Sequence, residues 1–116
     1  MTKNETRLKG IDISEFNGFI DFEKVKEEVD FVIIRATFGR FGVDKMFKRN
    51  VEQCVKFKIP FGFYYYSYAI NEEQGIEEAK FFVETIKDYI KEATFPAFID
   101  MEDSDGYKQN HRKPIE

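Results

Sequence analysis

The sequence predicts an α/β fold of parallel strands joined by helical crossovers. Three observations carry that expectation. Four short apolar runs rich in β-branched and aromatic residues are spaced along the chain, and such runs suit strands buried on both faces. The stretches between them are charged and carry apolar residues at helical spacing behind capping residues. The resulting order, βαβαβαβ, builds either an open α/β sheet or part of a barrel.

The first strand is expected at Gly10 to Ser14, sequence GIDIS. Asp21 then caps a short helix that turns Phe22, Val25 and Val29 to one side. The second strand is expected at Phe31 to Thr37, FVIIRAT. Gly39 and Gly42 flank Arg40 and Phe41 in a loop, and Asp44 is a plausible cap for the next helix. That helix places Phe47, Val51, Cys54 and Val55 at helical spacing, with Lys56 and Lys58 suiting its C-terminus. The third strand is expected in Phe61 to Tyr68, FGFYYYSY. Asn71 and Gln74 resemble a capping box, followed by an apolar stripe of Ile76, Ala79, Phe82, Val83, Ile86 and Ile90. The fourth strand is expected at Phe95 to Glu102, FPAFIDME, before a polar tail.

The totals bound the function classes. A chain of 116 residues with 42% hydrophobic content supports one domain with a modest core. Eighteen basic and twenty-two acidic residues leave a formal charge of -4, which gives no reason to expect nucleic acid. One cysteine, Cys54, allows no intrachain disulfide and reads as a structural thiol on a helix. No apolar run approaches membrane-spanning length, so no membrane insertion is expected. Residues 1–9 show no apolar signal core; the expected location is cytoplasmic until release, or the cell wall by a non-standard route. His111 reads as a surface residue, and no dinucleotide or P-loop pattern follows the first strand.

Sites in parallel α/β folds collect at the C-terminal ends of strands. Asp12 and Ser14, Arg35 and Thr37, Tyr64, Tyr66 and Tyr68, and Asp100 and Glu102 all fall there. Period two puts Asp12 with Ser14, the three tyrosines together, and Asp100 with Glu102 on single strand faces. Converging carboxylates with aromatics suit glycosidic cleavage: one acid protonates the leaving oxygen while another acts as nucleophile, base or electrostatic partner. Neighbouring carboxylates resist joint ionisation, so one holds its proton near neutral pH. The plainer reading is that two acids at a strand end are solvated or bind a cation. The tyrosine run equally suits core filling, with Phe63 and Tyr65 packed against helices. Arg35 suits structural support as well as ligand contact.

The segments GIDIS, FVIIRAT with a following glycine, PFGFYYYSYA and PAFIDMED, in this order and spacing, resemble family 25 glycoside hydrolases, the muramidases of bacterial and phage lysins. Members also carry an aspartate where this chain has Asp44. The resemblance implies a modified β/α barrel of eight strands, of which this chain holds a partial, apparently truncated TIM-like portion. Residues 1–8 are then a flexible segment, residues 9–105 the N-terminal half of the barrel, and residues 106–116 a polar tail or the start of the next element.

The implied reaction is hydrolysis of the β-1,4 bond between N-acetylmuramic acid and N-acetylglucosamine in bacterial peptidoglycan. Glu102 would be the general acid. Asp100 would assist, orienting the substrate's acetamido group for internal attack or supporting direct attack by water. Asp12, Tyr64, Tyr66 and Arg35 would line the substrate site. No metal and no organic cofactor is implied. Exposed barrel edges call for self-association or a missing C-terminal half. Two alternatives stand beside this reading: an inactive fragment or wall-saccharide-binding module, and an unrelated glycosidase. The second lacks support, because the longer acidic series usual in chitinase-like barrels is absent from TFPAFIDME.

Overall fold

A computed structural model of the protein describes residues 8–95 and the backbone of residues 98–100. The strands are β1 (Gly10–Ile13), β2 (Phe31–Phe38), β3 (Gly42–Val43), β4 (Phe61–Tyr66) and β5 (Phe98–Asp100). The helices are α1 (Phe22–Glu28), α2 (Phe47–Phe57) and α3 (Glu72–Ile86). The sheet runs β1-β2-β4-β5 with every neighbouring pair parallel, and β3 lies antiparallel on β2. Four parallel strands alternating with three helices make an open, barrel-like sheet rather than a closed barrel. Among the described residues, no helix is long and apolar enough to cross a membrane.

One face of the sheet builds the core. Ile13, Val32, Ile34, Ala36, Phe61, Phe63 and Tyr65 are buried there with Phe22 of α1, Phe47, Val51 and Cys54 of α2, and Phe82 and Ile86 of α3. Alternation along a strand sends every second residue to the opposite face. Phe63 packs on Phe47 with ring centroids 5.6 Å apart, and Tyr65 packs on Phe82 at 4.7 Å, as the alternation predicts.

The caps of α1 and α3 agree with the sequence. Asp21 accepts from the backbone N–H of Glu23 and Lys24, and Asn71 accepts from that of Gln74. Gln74 reaches back to the N–H of Ile70, one residue short of a reciprocal box. The α3 stripe differs from expectation. Ile76, Val83 and Ile90 are exposed, whereas Glu78 is 1% exposed and shares the inward side with Phe82 and Ile86. Its carboxylate accepts from the Ser67 hydroxyl at 2.6 Å and the Tyr68 N–H at 2.8 Å, and these bonds offset desolvation. Val55 of α2 is likewise exposed.

The loop expected at residues 39–42 is a hairpin. Thr37 pairs with Val43 and Phe38 with Gly42. Two-residue strands are too short to show a period, which hides β3 from pattern reading. Gly39 turns the chain at φ 62°, a conformation that side-chain-bearing residues rarely adopt. A Cβ on Gly42 would stand 2.3 Å from the Phe38 ring, so a larger residue there would displace that ring.

Cys54 is fully buried, and burial pushes its thiol pKa up to about 12. A thiol-disulfide exchange reagent at pH 8 is expected to leave Cys54 unmodified in the folded chain and to modify it after urea unfolding. Rapid labelling without denaturant would contradict its burial. Because the folded-state pKa lies above the ordinary value of 9.0, the linked stability is complete below pH 9.0 and declines as pH rises towards about 12.

Candidate active site

Strand register assembles the sheet's second face. Asp12 pairs with Ile33, Arg35 with Tyr64, and Tyr66 with the backbone of Asp100. Partners in a parallel ladder share a face, so Asp12, Ile33, Arg35, Tyr64 and Tyr66 line the side away from the helices. Asp12 is exposed, and Tyr64 and Tyr66 are half-buried. Asp12 sits one side-chain repeat deeper than the Arg35–Tyr64 pair. The side chain of Asp100 and all of Glu102 lie outside the described residues, as does His111.

A register shift between Arg35 and Thr37 alters the pairing at the end of β2. Beyond it Thr37 pairs with Tyr65 and Phe38 with Tyr66. The extra residue re-aims the strand, as bulges do beside functional sites. Arg35 and Phe38 therefore reach the same side, and the guanidinium carbon lies 4.6 Å from the Phe38 ring centroid. Phe16, from the loop after β1, stacks on the guanidinium at 5.0 Å.

Arg35 is 7% exposed, and two carboxylates compensate its charge. Its Nε donates to Asp44 Oδ2 at 2.8 Å, and a terminal nitrogen lies 3.6 Å from Glu15 Oε1. Asp44 does not cap α2, whose N-cap is Met46 with no side-chain cap bond. It is buried instead, and accepts from the N–H groups of Glu15 at 2.9 Å and Met46 at 2.8 Å. Glu15 Oε1 accepts in return from the Lys45 N–H at 2.9 Å. Asp44 and Glu15 thus clasp the loop after β1 to the loop before α2, with Arg35 between them. An aspartate before a helix resembles a cap in sequence, so nothing local distinguishes these two roles.

The end of β4 is fixed from two sides. Glu78 holds the turn at Ser67 and Tyr68. The β2–β3 hairpin docks through Gly39, whose N–H donates to the Tyr66 carbonyl at 3.0 Å. Tyr66 and Tyr68 meet edge to face at 5.0 Å. Burial, and secondly the nearby Glu78 carboxylate, raise the Tyr65 pKa behind this wall. Among the described residues, no group of three or more His, Cys, Asp or Glu side chains could hold a metal ion. A depression of about 320 Å³ bordered by Cys54, Ile59, Phe61 and Thr94 opens at the opposite, N-terminal end of β4. It lacks the tyrosines and Asp12, which stand toward the strand C-termini, where sites gather in parallel sheets.

Sequence reading missed Glu15, Phe16, Phe38 and the burial of Asp44. Their association depends on the loop clasp and the bulge. The resulting wall offers aromatic faces, a compensated cation and a carboxylate at its base, a combination suited to a polar, ring-containing ligand.

The model of glycosyl hydrolases family 25 matches residues 11–115. The autolytic lysozyme of Clostridium acetobutylicum is 35% identical over 80 residues, covering 68% of this chain and 24% of that protein. The structure of the modular autolysin LytC from Streptococcus pneumoniae with a synthetic peptidoglycan ligand aligns with TM-score 0.74 and 38% identity, covering 83% of this chain and 23% of that one. The family 25 lysozyme from Aspergillus fumigatus aligns with TM-score 0.70 and 27% identity, covering 82% and 46%. The chain therefore spans less than half the length of each of these relatives.

Proposed function

Since the chain belongs to family 25 of the glycosyl hydrolases, we propose that it forms part of a peptidoglycan muramidase. The substrate bond is the β-1,4 link between N-acetylmuramic acid and N-acetylglucosamine. The observation that carries this reading is the strand register aligning Asp12, Arg35, Tyr64 and Tyr66 along one face, with the backbone of Asp100 beside Tyr66. The autolytic lysozyme and the LytC–peptidoglycan complex among the relatives support the substrate class.

In this proposal Glu102 protonates the leaving glycosidic oxygen. Asp100 orients the acetamido group for internal attack or assists an attacking water. Asp12, Tyr64 and Tyr66 line the sugar site. Arg35 lines it through the wall that it braces with Asp44 and Glu15. The open sheet corresponds to one part of the eight-stranded barrel that the family resemblance implies.

A second reading, saccharide binding without turnover, is favoured by the sheet itself. Among the described residues, β1 and β5 each pair on one side only. Catalytic groups are sensitive to small displacements, which an open sheet permits more readily than a closed one.

The test is digestion of purified peptidoglycan by the 116-residue chain, with chemical reduction and identification of the new reducing ends. Muramic acid ends are expected. Glucosamine ends, or released peptides without new sugar ends, would overturn the muramidase assignment. Binding with no new ends would favour the second reading.

A further inference from the structure

We propose that Phe16 is a stacking platform for one hexosamine ring of the glycan, an inference that rests on the saccharide substrate proposed above. The observation is a large aromatic ring that is held firmly and yet left open. Phe16 is 82% exposed. Its ring meets the Arg35 guanidinium at 5.0 Å, and that guanidinium is backed by Phe38 at 4.6 Å and anchored by Asp44 at 2.8 Å.

The backbone beneath Phe16 is fixed as well. Its N–H donates to the Ser14 hydroxyl, and the Ser14 N–H donates to the Asn17 side chain, in a reciprocal capping box. Glu15, the preceding residue, is clasped to Asp44 and Lys45. The ring is therefore positioned before any ligand arrives, and binding need not spend ordering entropy on it.

Position selects the occupant. Phe16 lies just past the C-terminal end of β1, where sites gather in parallel sheets. Through Arg35 it adjoins the position of Tyr64, since Arg35 and Tyr64 are ladder partners. A hexosamine ring has an apolar face of axial C–H bonds and a polar rim of hydroxyl and acetamido groups. The exposed ring matches the apolar face by C–H to π contact, and Asp12 and Tyr64, on the same side of the sheet as Arg35, suit the rim. Phe19 and Phe41 are also highly exposed. Phe19 stacks on Arg49 and Phe41 on Arg40, and among the described residues neither is braced by a buried ion pair beside the tyrosines.

The test is calorimetric titration of the intact chain with a tetrasaccharide of alternating N-acetylglucosamine and N-acetylmuramic acid. Phe16→Leu is expected to weaken binding by about tenfold, the upper range for loss of one aromatic contact. Phe16→Tyr is expected to bind as the parent does. Folding of each variant is checked by urea unfolding. In the parent, the Phe16 ring-proton resonances are expected to shift on saturation with the tetrasaccharide, a readout that needs no variant. Unmoved ring resonances, or equal affinity in parent and folded Phe16→Leu, would overturn the inference while leaving the substrate proposal standing. A parent that binds no tetrasaccharide would overturn both.

Discussion

Glu102→Gln is expected to lower turnover of peptidoglycan by about 10²–10⁴-fold, the usual contribution of a positioned general acid. Glutamine keeps the volume and hydrogen-bonding reach of glutamate but has no acidic proton for the leaving oxygen. An interaction made only in the transition state shows as a fall in kcat with KM little changed. The measurement is the rate of new muramic acid reducing ends, parent against variant, over a range of peptidoglycan concentrations. Equal rates would remove Glu102 from the proposed mechanism. A rise in KM alone would make it a binding residue. The ladder motivates the prediction too, since Glu102 is two residues beyond Asp100, whose backbone pairs with Tyr66.

Asp44→Ala is expected to destabilise the fold by about 3–5 kcal/mol, the usual cost of stranding one member of a buried ion pair. Asp44 is 2% exposed and, among the described residues, its carboxylate serves three donors: Arg35 Nε and the N–H groups of Glu15 and Met46. Its removal leaves Arg35, among the described residues, with Glu15 at 3.6 Å as a compensating charge. Domains of this size are stable by about 5–15 kcal/mol in total, so the loss is a large share. Urea unfolding at pH 7 measures it. Arg35→Met made in the Asp44→Ala background should cost less than it does alone, since the two side chains act as a unit. An Asp44→Ala loss below about 1 kcal/mol, within the range of an exposed pair, would show that the clasp contributes little.

Much of the fold was legible in the sequence. The apolar runs mark β1, β2, β4 and β5, and the alternation in FGFYYY separates Phe63 and Tyr65 from Tyr64 and Tyr66. Asp21 and Asn71 announce their helices because a cap bonds within three residues of itself. The ordered motifs identified the family, which the match over residues 11–115 shows independently. Period two put Asp12 with Ser14, and Tyr64 with Tyr66, on single strand faces; the parallel register of the structure then brings Asp12, Tyr64 and Tyr66 to one side.

What the sequence determined by itself is the order of the four parallel strands and three helices, the alternation that turns Phe63 and Tyr65 toward the helices, and the family. These depend on local periodicity and on motifs read along the chain. The tertiary structure decided which charged side chains are buried, because that depends on partners brought together by folding. Asp44 meets Arg35 across 9 residues and the Glu15 N–H across 29, while Glu78 meets Ser67 across 11. A bulge at Ala36 and a hairpin turning at Gly39 then set Phe38, Arg35 and Phe16 into one stack. Apolar patterning cannot anticipate such burial, since a charge enters the interior only where folding supplies its counter-charge and hydrogen bonds.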